Sequence, residues 1–185
     1  YARPTERRLG KLYDVISQHP MATEFAISRF LTPFMCRSLN QIPHGWAIFM
    51  DCDVLVRASL SPMIELLDDS KAIHCVQHNH VPTTDIKMDG QRQSSYPRKN
   101  WSSVVAYNCD HPANEALTLD YVNSVPALEL HQFRWLRDDQ IGWLPPVWNY
   151  LVGHTVTEEE PKIVHFTDGL PNLAAYRKVE YADEW

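Results

Sequence analysis

The chain has 185 residues, 44% of them hydrophobic and 22% charged, with a formal net charge of -6; that length suits one globular domain with a full core, and that acidity argues against a general nucleic-acid binder. Its cysteines, Cys36, Cys52, Cys75 and Cys109, form no Cys-x-x-Cys pair and match no zinc spacing, which favours free thiols in a reducing, cytoplasmic setting. No apolar run reaches the length of a membrane span, and no signal peptide is expected.

Residues 1–20 are basic and polar at first and then carry Leu12, Val15 and Ile16; they read as a mobile or partner-dependent lead-in. From Thr23 to Cys36, Ile27, Leu31, Phe34 and Met35 fall at helical spacing, which predicts an amphipathic helix kinked or ended near Pro33. The run Trp46-Ala47-Ile48-Phe49-Met50, with Pro43 and Gly45 before it, predicts a buried strand. Ser61 followed by Pro62 predicts a helix N-cap, with Met63, Ile64, Leu66 and Leu67 on the buried side. A short strand is expected over Ala72–Val76.

Residues 77–100 are polar and irregular, with His78, His80, Pro82, Gly90 and Pro97. Loops of that length are usually functional or disordered. Val104–Tyr107 predicts a strand and Asn114–Val125 a helix with Leu117, Leu119, Tyr121 and Val122. The remainder alternates short segments: Leu136 to Trp143, Pro145 to Trp148, and Ile163 to Phe166. Strands alternating with helices predict an α/β fold with a mixed, mostly parallel sheet flanked by helices.

Four groups could carry chemistry. Asp51 and Asp53 follow the apolar run at once. Ionised carboxylates at a strand end are costly to desolvate without a positive partner, and open α/β sheets bind ligands at the carboxyl ends of their strands. The pair therefore reads as oxygen ligands for a divalent cation that in turn holds phosphate, against the alternative of a turn with solvated acids. His165 ends another apolar strand before Thr167-Asp168-Gly169-Leu170-Pro171. Two aspartates and a histidine form a hard oxygen and nitrogen set that suits Mn²⁺ or Mg²⁺. Asp138-Asp139-Gln140 reads equally as an acidic helix start or as a polar cluster at a reacting carbon. Tyr96-Pro97-Arg98-Lys99-Asn100-Trp101-Ser102-Ser103 suits a sugar or phosphate, or a solvated turn with Trp101 packed inward. His78 and His80 lack a companion ligand pattern and read as ordinary loop residues.

In this order, from about Pro20 to Trp185, these pieces resemble the GT-A glycosyltransferases, most of all the family 8 type and its bacterial relatives. Met21-Ala22-Thr23-Glu24-Phe25-Ala26-Ile27-Ser28-Arg29-Phe30-Leu31 looks like the helix before that family's metal motif, which implies that Arg29 approaches the donor. Phe49-Met50-Asp51-Cys52-Asp53 looks like its Asp-x-Asp signature. The resemblance implies that Asp51, Asp53 and His165 hold Mn²⁺ (or Mg²⁺) and that Ser102, Ser103 and Gly169 contact the donor. It also implies that Asp139 and Gln140 lie beside the reacting carbon. The expected activity is sugar transfer, with retention of configuration, from a nucleotide-diphosphate donor (a UDP-sugar by analogy) to a glycan, lipid or small-molecule acceptor.

The chain departs from the pattern in three places. Trp101 and Ser103 stand for the usual Asn and Gly, and no lysine follows the late motif, where Leu170 and Asn172 also differ. The family's first strand would lie N-terminal to everything seen here, so residues 1–185 read as a single such domain in which either that strand is missing or residues 1–20 do its work. The competing readings are a non-catalytic nucleotide-sugar binding domain and a haloacid-dehalogenase-type Mg²⁺-dependent phosphatase, in which Asp51 would be the nucleophile.

Overall fold

The structure, a computed structural model, describes residues 3–21, 23–38, 45–79, 86, 87, 91, 92 and 96–185, of which 86, 87, 91 and 92 are described as backbone. Ala22, Pro43, His80, Pro82 and Gly90, named above, lie outside them. Among the described residues no helix is long and apolar enough to cross a membrane. The chain adopts the expected mixed α/β class, and its contacts divide it into two compact units.

The first unit takes Tyr1–Phe49, Asp68–His74 and Val105–Gly142. Where the sequence suggests a mobile or partner-dependent lead-in, it opens on an antiparallel sheet of β1 (Thr5–Arg8), β2 (Lys11–Asp14) and β3 (His19–Pro20). The β1–β2 hairpin turns on Leu9 and Gly10, both at positive φ, the conformation that a tight two-residue hairpin requires. Arg3 anchors the sheet. Its guanidinium donates to both Asp14 carboxylate oxygens, at 2.8 and 2.7 Å, and to the Val122 and Val125 carbonyls.

The helix expected over 23–36 is shorter and later. Ser28–Leu31 form a 3-10 turn, and α1 covers Thr32–Ser38. Pro33 sits in the first turn, where its missing N–H costs nothing, so it helps to start the helix rather than end it. Ile27, Phe30 and Leu31 are buried, while Met35 is 53% exposed, against the expected helix face. The strand β4 (Trp46–Met50) forms as expected, yet all five of its residues are only partly buried. It ends the order of a four-stranded sheet, after β9 (Val104–Asn108), β6 (Ile73–Cys75) and β10 (Ile141–Trp143). An edge position leaves one flank of a strand uncovered. The sheet's interior strands, β6 and β9, carry the fully buried runs. The helix expected over 114–125 is broken. A 3-10 turn covers Pro112–Ala116, then Thr118 caps a second helix (α3, Leu119–Ser124) by accepting from the Tyr121 amide. A threonine hydroxyl competes for backbone donors in this way and favours a helix start over a helix interior. A further helix, α4, covers Ala127–His131.

The second unit takes Met50–Leu67, Cys75–Val104 and Trp143–Trp185. Its helix α2 is short, Ser61–Ile64, and starts from Leu60 rather than from Ser61; Ile64 and Leu66 are about half exposed, so Met63 is the residue it buries. The stretch 77–100 contains a small hairpin, β7 (Ile86–Lys87) with β8 (Gln91–Arg92). The organising element is a mixed sheet in the order β11 (Tyr150–Leu151), β12 (Ile163–His165), β5 (Val54–Val56). The β11–β12 pair is parallel and the β12–β5 pair antiparallel. Tyr150, Val152, Val164 and Phe166 form an apolar cluster with Leu55, Leu170, Val179 and Tyr181 against it. Side chains alternate along a strand, so His165 points to the opposite face from its neighbours Val164 and Phe166.

Candidate metal centre

The register of β5 against β12 builds the site. Val54 pairs with His165, Leu55 with Val164 and Val56 with Ile163. Asp53 immediately precedes β5 and therefore falls beside the end of β12. Its carbonyl accepts from the Phe166 amide at 3.0 Å, and the Asp51 amide donates to the Ser103 carbonyl at 2.8 Å. The turn carrying both acids is thus pinned by backbone bonds on either side.

One ligand atom each from Asp51, Asp53 and His165 lies within 4.8 Å of the others. His165 Nε2 is 3.4 Å from Asp53 Oδ1, and the His165 side chain is 4% exposed. Two carboxylates and an imidazole converging at partly buried positions fit a hard divalent cation. The three residues that were grouped from the sequence are therefore brought together. Cys52, between the two acids, is exposed, so it is no fourth member of the cluster.

Behind His165 stands Asn149, fully buried in the turn before β11. Its Oδ1 is 3.1 Å from His165 Nδ1, and its Nδ2 donates to Ser103 Oγ at 2.9 Å. Ser103 Oγ in turn donates to the Asn100 carbonyl at 2.7 Å. Ser103, expected to meet the donor, is buried in this network, and Ser102 beside it is also buried. Sequence reasoning did not single out Asn149. Its role depends on two strands meeting, and no local pattern marks it.

Gly169 follows the strand at a close approach. A Cβ there would come within 2.3 Å of the Tyr176 ring. The cleft beside it, about 360 Å³, is lined by Val152, Phe166, Asp168, Gly169, Tyr176 and Lys178, among others. Asp168 meets His154 Nε2 at 2.7 Å, a second pair that the sequence did not flag.

The other expected site residues belong to the first unit. Arg29 donates from Nε to the Ala26 carbonyl at 2.8 Å, with its guanidinium 5.0 Å from the Phe49 ring centre. Asp138–Gln140 form a single 3-10 turn. The Arg137 guanidinium holds the Asp139 carboxyl below its ordinary value, through two hydrogen bonds of 3.0 Å. Gln140 Oε1 accepts from the Arg137 amide.

No family model matches the chain. Protein CDI of Arabidopsis thaliana is 47% identical over 169 residues, a match that takes in 89% of this chain. The chain spans 63% of the length of that curated relative. Among solved structures, the bifunctional glycosyltransferase WbbM superimposes with a TM-score of 0.59 at 16% identity, over 89% of this chain and 35% of WbbM. The glycosyltransferase GlyE of Streptococcus pneumoniae TIGR4 does so with a TM-score of 0.53 at 14% identity, over 93% of this chain and 43% of GlyE. At those identities the likeness is one of fold: this chain has a mixed α/β fold similar to that of these two glycosyltransferase structures.

Proposed function

We propose that residues 1–185 form a glycosyltransferase domain that takes a sugar from a nucleotide-diphosphate donor, with Mn²⁺ or Mg²⁺ held by Asp51, Asp53 and His165. The observation that carries this reading is the convergence of those three side chains within 4.8 Å, in a chain whose fold matches glycosyltransferases. A bound cation supplies Lewis-acid stabilisation of the charge that develops on a diphosphate leaving group. The chain's own residues fix the geometry. Ser103 and Phe166 clamp the acid turn through its backbone, and Asn149 meets the back of the imidazole. Orientation of this kind is where an enzyme gains rate once the leaving group is neutralised.

The family 8 resemblance supports UDP as the carrier and retention of configuration. Through that resemblance alone, Arg29, Ser102 and Gly169 enter as donor contacts, and Asp139 and Gln140 as the pair at the reacting carbon. The acceptor is a glycan, lipid or small molecule.

The test is the double variant Asp51→Asn, Asp53→Asn, which removes two charges and nearly keeps their shape. Calorimetric titration with UDP in the presence of Mn²⁺ is expected to lose its binding signal, with the circular dichroism spectrum and melting temperature retained. Unchanged UDP affinity in the double variant would remove the metal assignment. Wild-type binding of UDP-sugars without hydrolysis or transfer would turn the reading into that of a binding domain.

A further inference from the structure

We infer that Asn149 is a positioning residue that selects the protonation tautomer of His165, placing the proton on Nδ1 and leaving the Nε2 lone pair for the cation. This rests on the cation assignment proposed above. Three contacts carry it. Asn149 Nδ2 lies 2.9 Å from Ser103 Oγ and 3.5 Å from the Asn100 carbonyl oxygen. Ser103 Oγ donates its one proton to that same carbonyl at 2.7 Å. Its oxygen is therefore left as an acceptor towards Asn149.

A carbonyl oxygen can only accept, and Ser103 has no second proton to give. Turning the Asn149 amide over would set its Oδ1 against a carbonyl that cannot donate and against a hydroxyl that could donate only by giving up its 2.7 Å bond to that carbonyl. The amide is thus fixed with Nδ2 towards Ser103 and Asn100 and with Oδ1 towards His165. Oδ1 is itself only an acceptor, so the ring nitrogen 3.1 Å away must be the donor. A neutral imidazole with its proton on Nδ1 presents a lone pair at Nε2, and Nε2 is the atom that faces Asp53 at 3.4 Å.

The environment lets this choice matter. Asn149 is 0% exposed and His165 3% exposed, so the contact between Asn149 Oδ1 and His165 Nδ1 is shielded from bulk water. Outer groups of this kind typically change metal affinity by about 10–100-fold when removed. Ser103 thereby acquires a role one step further out, in orienting the Asn149 amide. A serine carries that out at this position, where the family 8 resemblance leads one to expect a glycine.

The experiment reads the tautomer directly. ¹⁵N NMR of metal-free wild-type protein, at a pH where the ring is neutral, is expected to place the His165 proton on Nδ1. A proton on Nε2 would overturn the inference, whatever the metal does. In Asn149→Leu the proton is expected to move to Nε2, where Asp53 can accept it, and Mn²⁺ affinity measured by electron paramagnetic resonance is expected to fall about 10–100-fold. Wild-type affinity in that variant would also overturn it. Should Asn149→Leu fail to fold, Ser103→Ala removes the shorter of the two contacts that orient the amide and leaves the 3.5 Å contact to the Asn100 carbonyl; a mixture of tautomers supports the inference and a proton on Nε2 in the wild type still overturns it. If wild-type protein binds no Mn²⁺, the functional reading fails, while the wild-type tautomer still decides this one.

Discussion

A methyl group has no room at Gly142. A Cβ built there would lie 2.3 Å from the His74 ring, and His74 is itself 4% exposed, with its Nε2 accepting from the Asp68 amide at 3.0 Å. The ring is rigid and pinned at Nε2 by the Asp68 amide, so it cannot swing away as the tip of a lysine would. Gly142→Ala is therefore expected to destabilise the protein by about 1–3 kcal/mol, the usual cost of overpacking, read as a lower denaturant midpoint. Gly142→Ala combined with His74→Ala should recover part of that loss. Gly142 was invisible in the sequence because its constraint comes from a histidine on another strand. Asp51, Asp53 and His165 were legible for the opposite reason. Acids and an imidazole at the ends of apolar strands are chemically out of place wherever those strands end up. Asn149 lies between these cases. An asparagine before a short strand is ordinary until Ser103 and His165 are seen on either side of it.

Among the elements, β1–β3 depart furthest from expectation. A Leu-Gly pair closes the first hairpin, where the sequence signal for such turns is Asn-Gly or Asp-Gly, and the strands have few apolar residues to alternate. What holds them is a buried ion pair, Arg3 with Asp14, with side chains 0% and 1% exposed. Such a pair leaves no periodic trace. Burial pushes the Asp14 carboxyl up, but hydrogen bonds from Arg3 and Ser17 and the Arg3 charge outweigh it and hold it below its ordinary value. The sign of the pH effect follows. A carboxyl depressed in the folded state contributes its stability fully above the unfolded value of about 4 and loses it as pH falls through the folded value. Wild-type melting temperature should therefore drop on acidification below about pH 4, and Asp14→Asn should remove that part of the slope. Arg3→Met, which leaves Asp14 charged and buried, should cost about 3–5 kcal/mol at neutral pH. Other elements were read correctly in type and wrongly in extent. Helices expected as long amphipathic stretches are cut short where Pro33 and Thr118 start new turns, because apolar spacing alone does not reveal which residue satisfies the first amides.

At the scale of the whole molecule, the mixed α/β class was legible from the alternation of apolar runs with helical stretches, whereas the division into two units was not. Each unit is assembled from three separated segments, and nothing local marks the points where the chain leaves one and enters the other. That division has a measurable consequence, because Asp51, Asp53 and His165 all belong to the second unit. A ligand that binds only the folded state stabilises it by about 2.7 kcal/mol at a hundred times its dissociation constant, which is a factor of about 100 in the opening equilibrium. Under saturating Mn²⁺, amides of β5, β11 and β12 that exchange through opening of the second unit should slow by up to that factor. Amides of β1 and β2, held in the first unit by Arg3, should exchange at their metal-free rates. Hydrogen exchange followed by mass spectrometry, with and without Mn²⁺, checks this peptide by peptide. Equal slowing in both sets would mean that the two units open as one cooperative body, and no slowing in either would mean that the three side chains hold no cation.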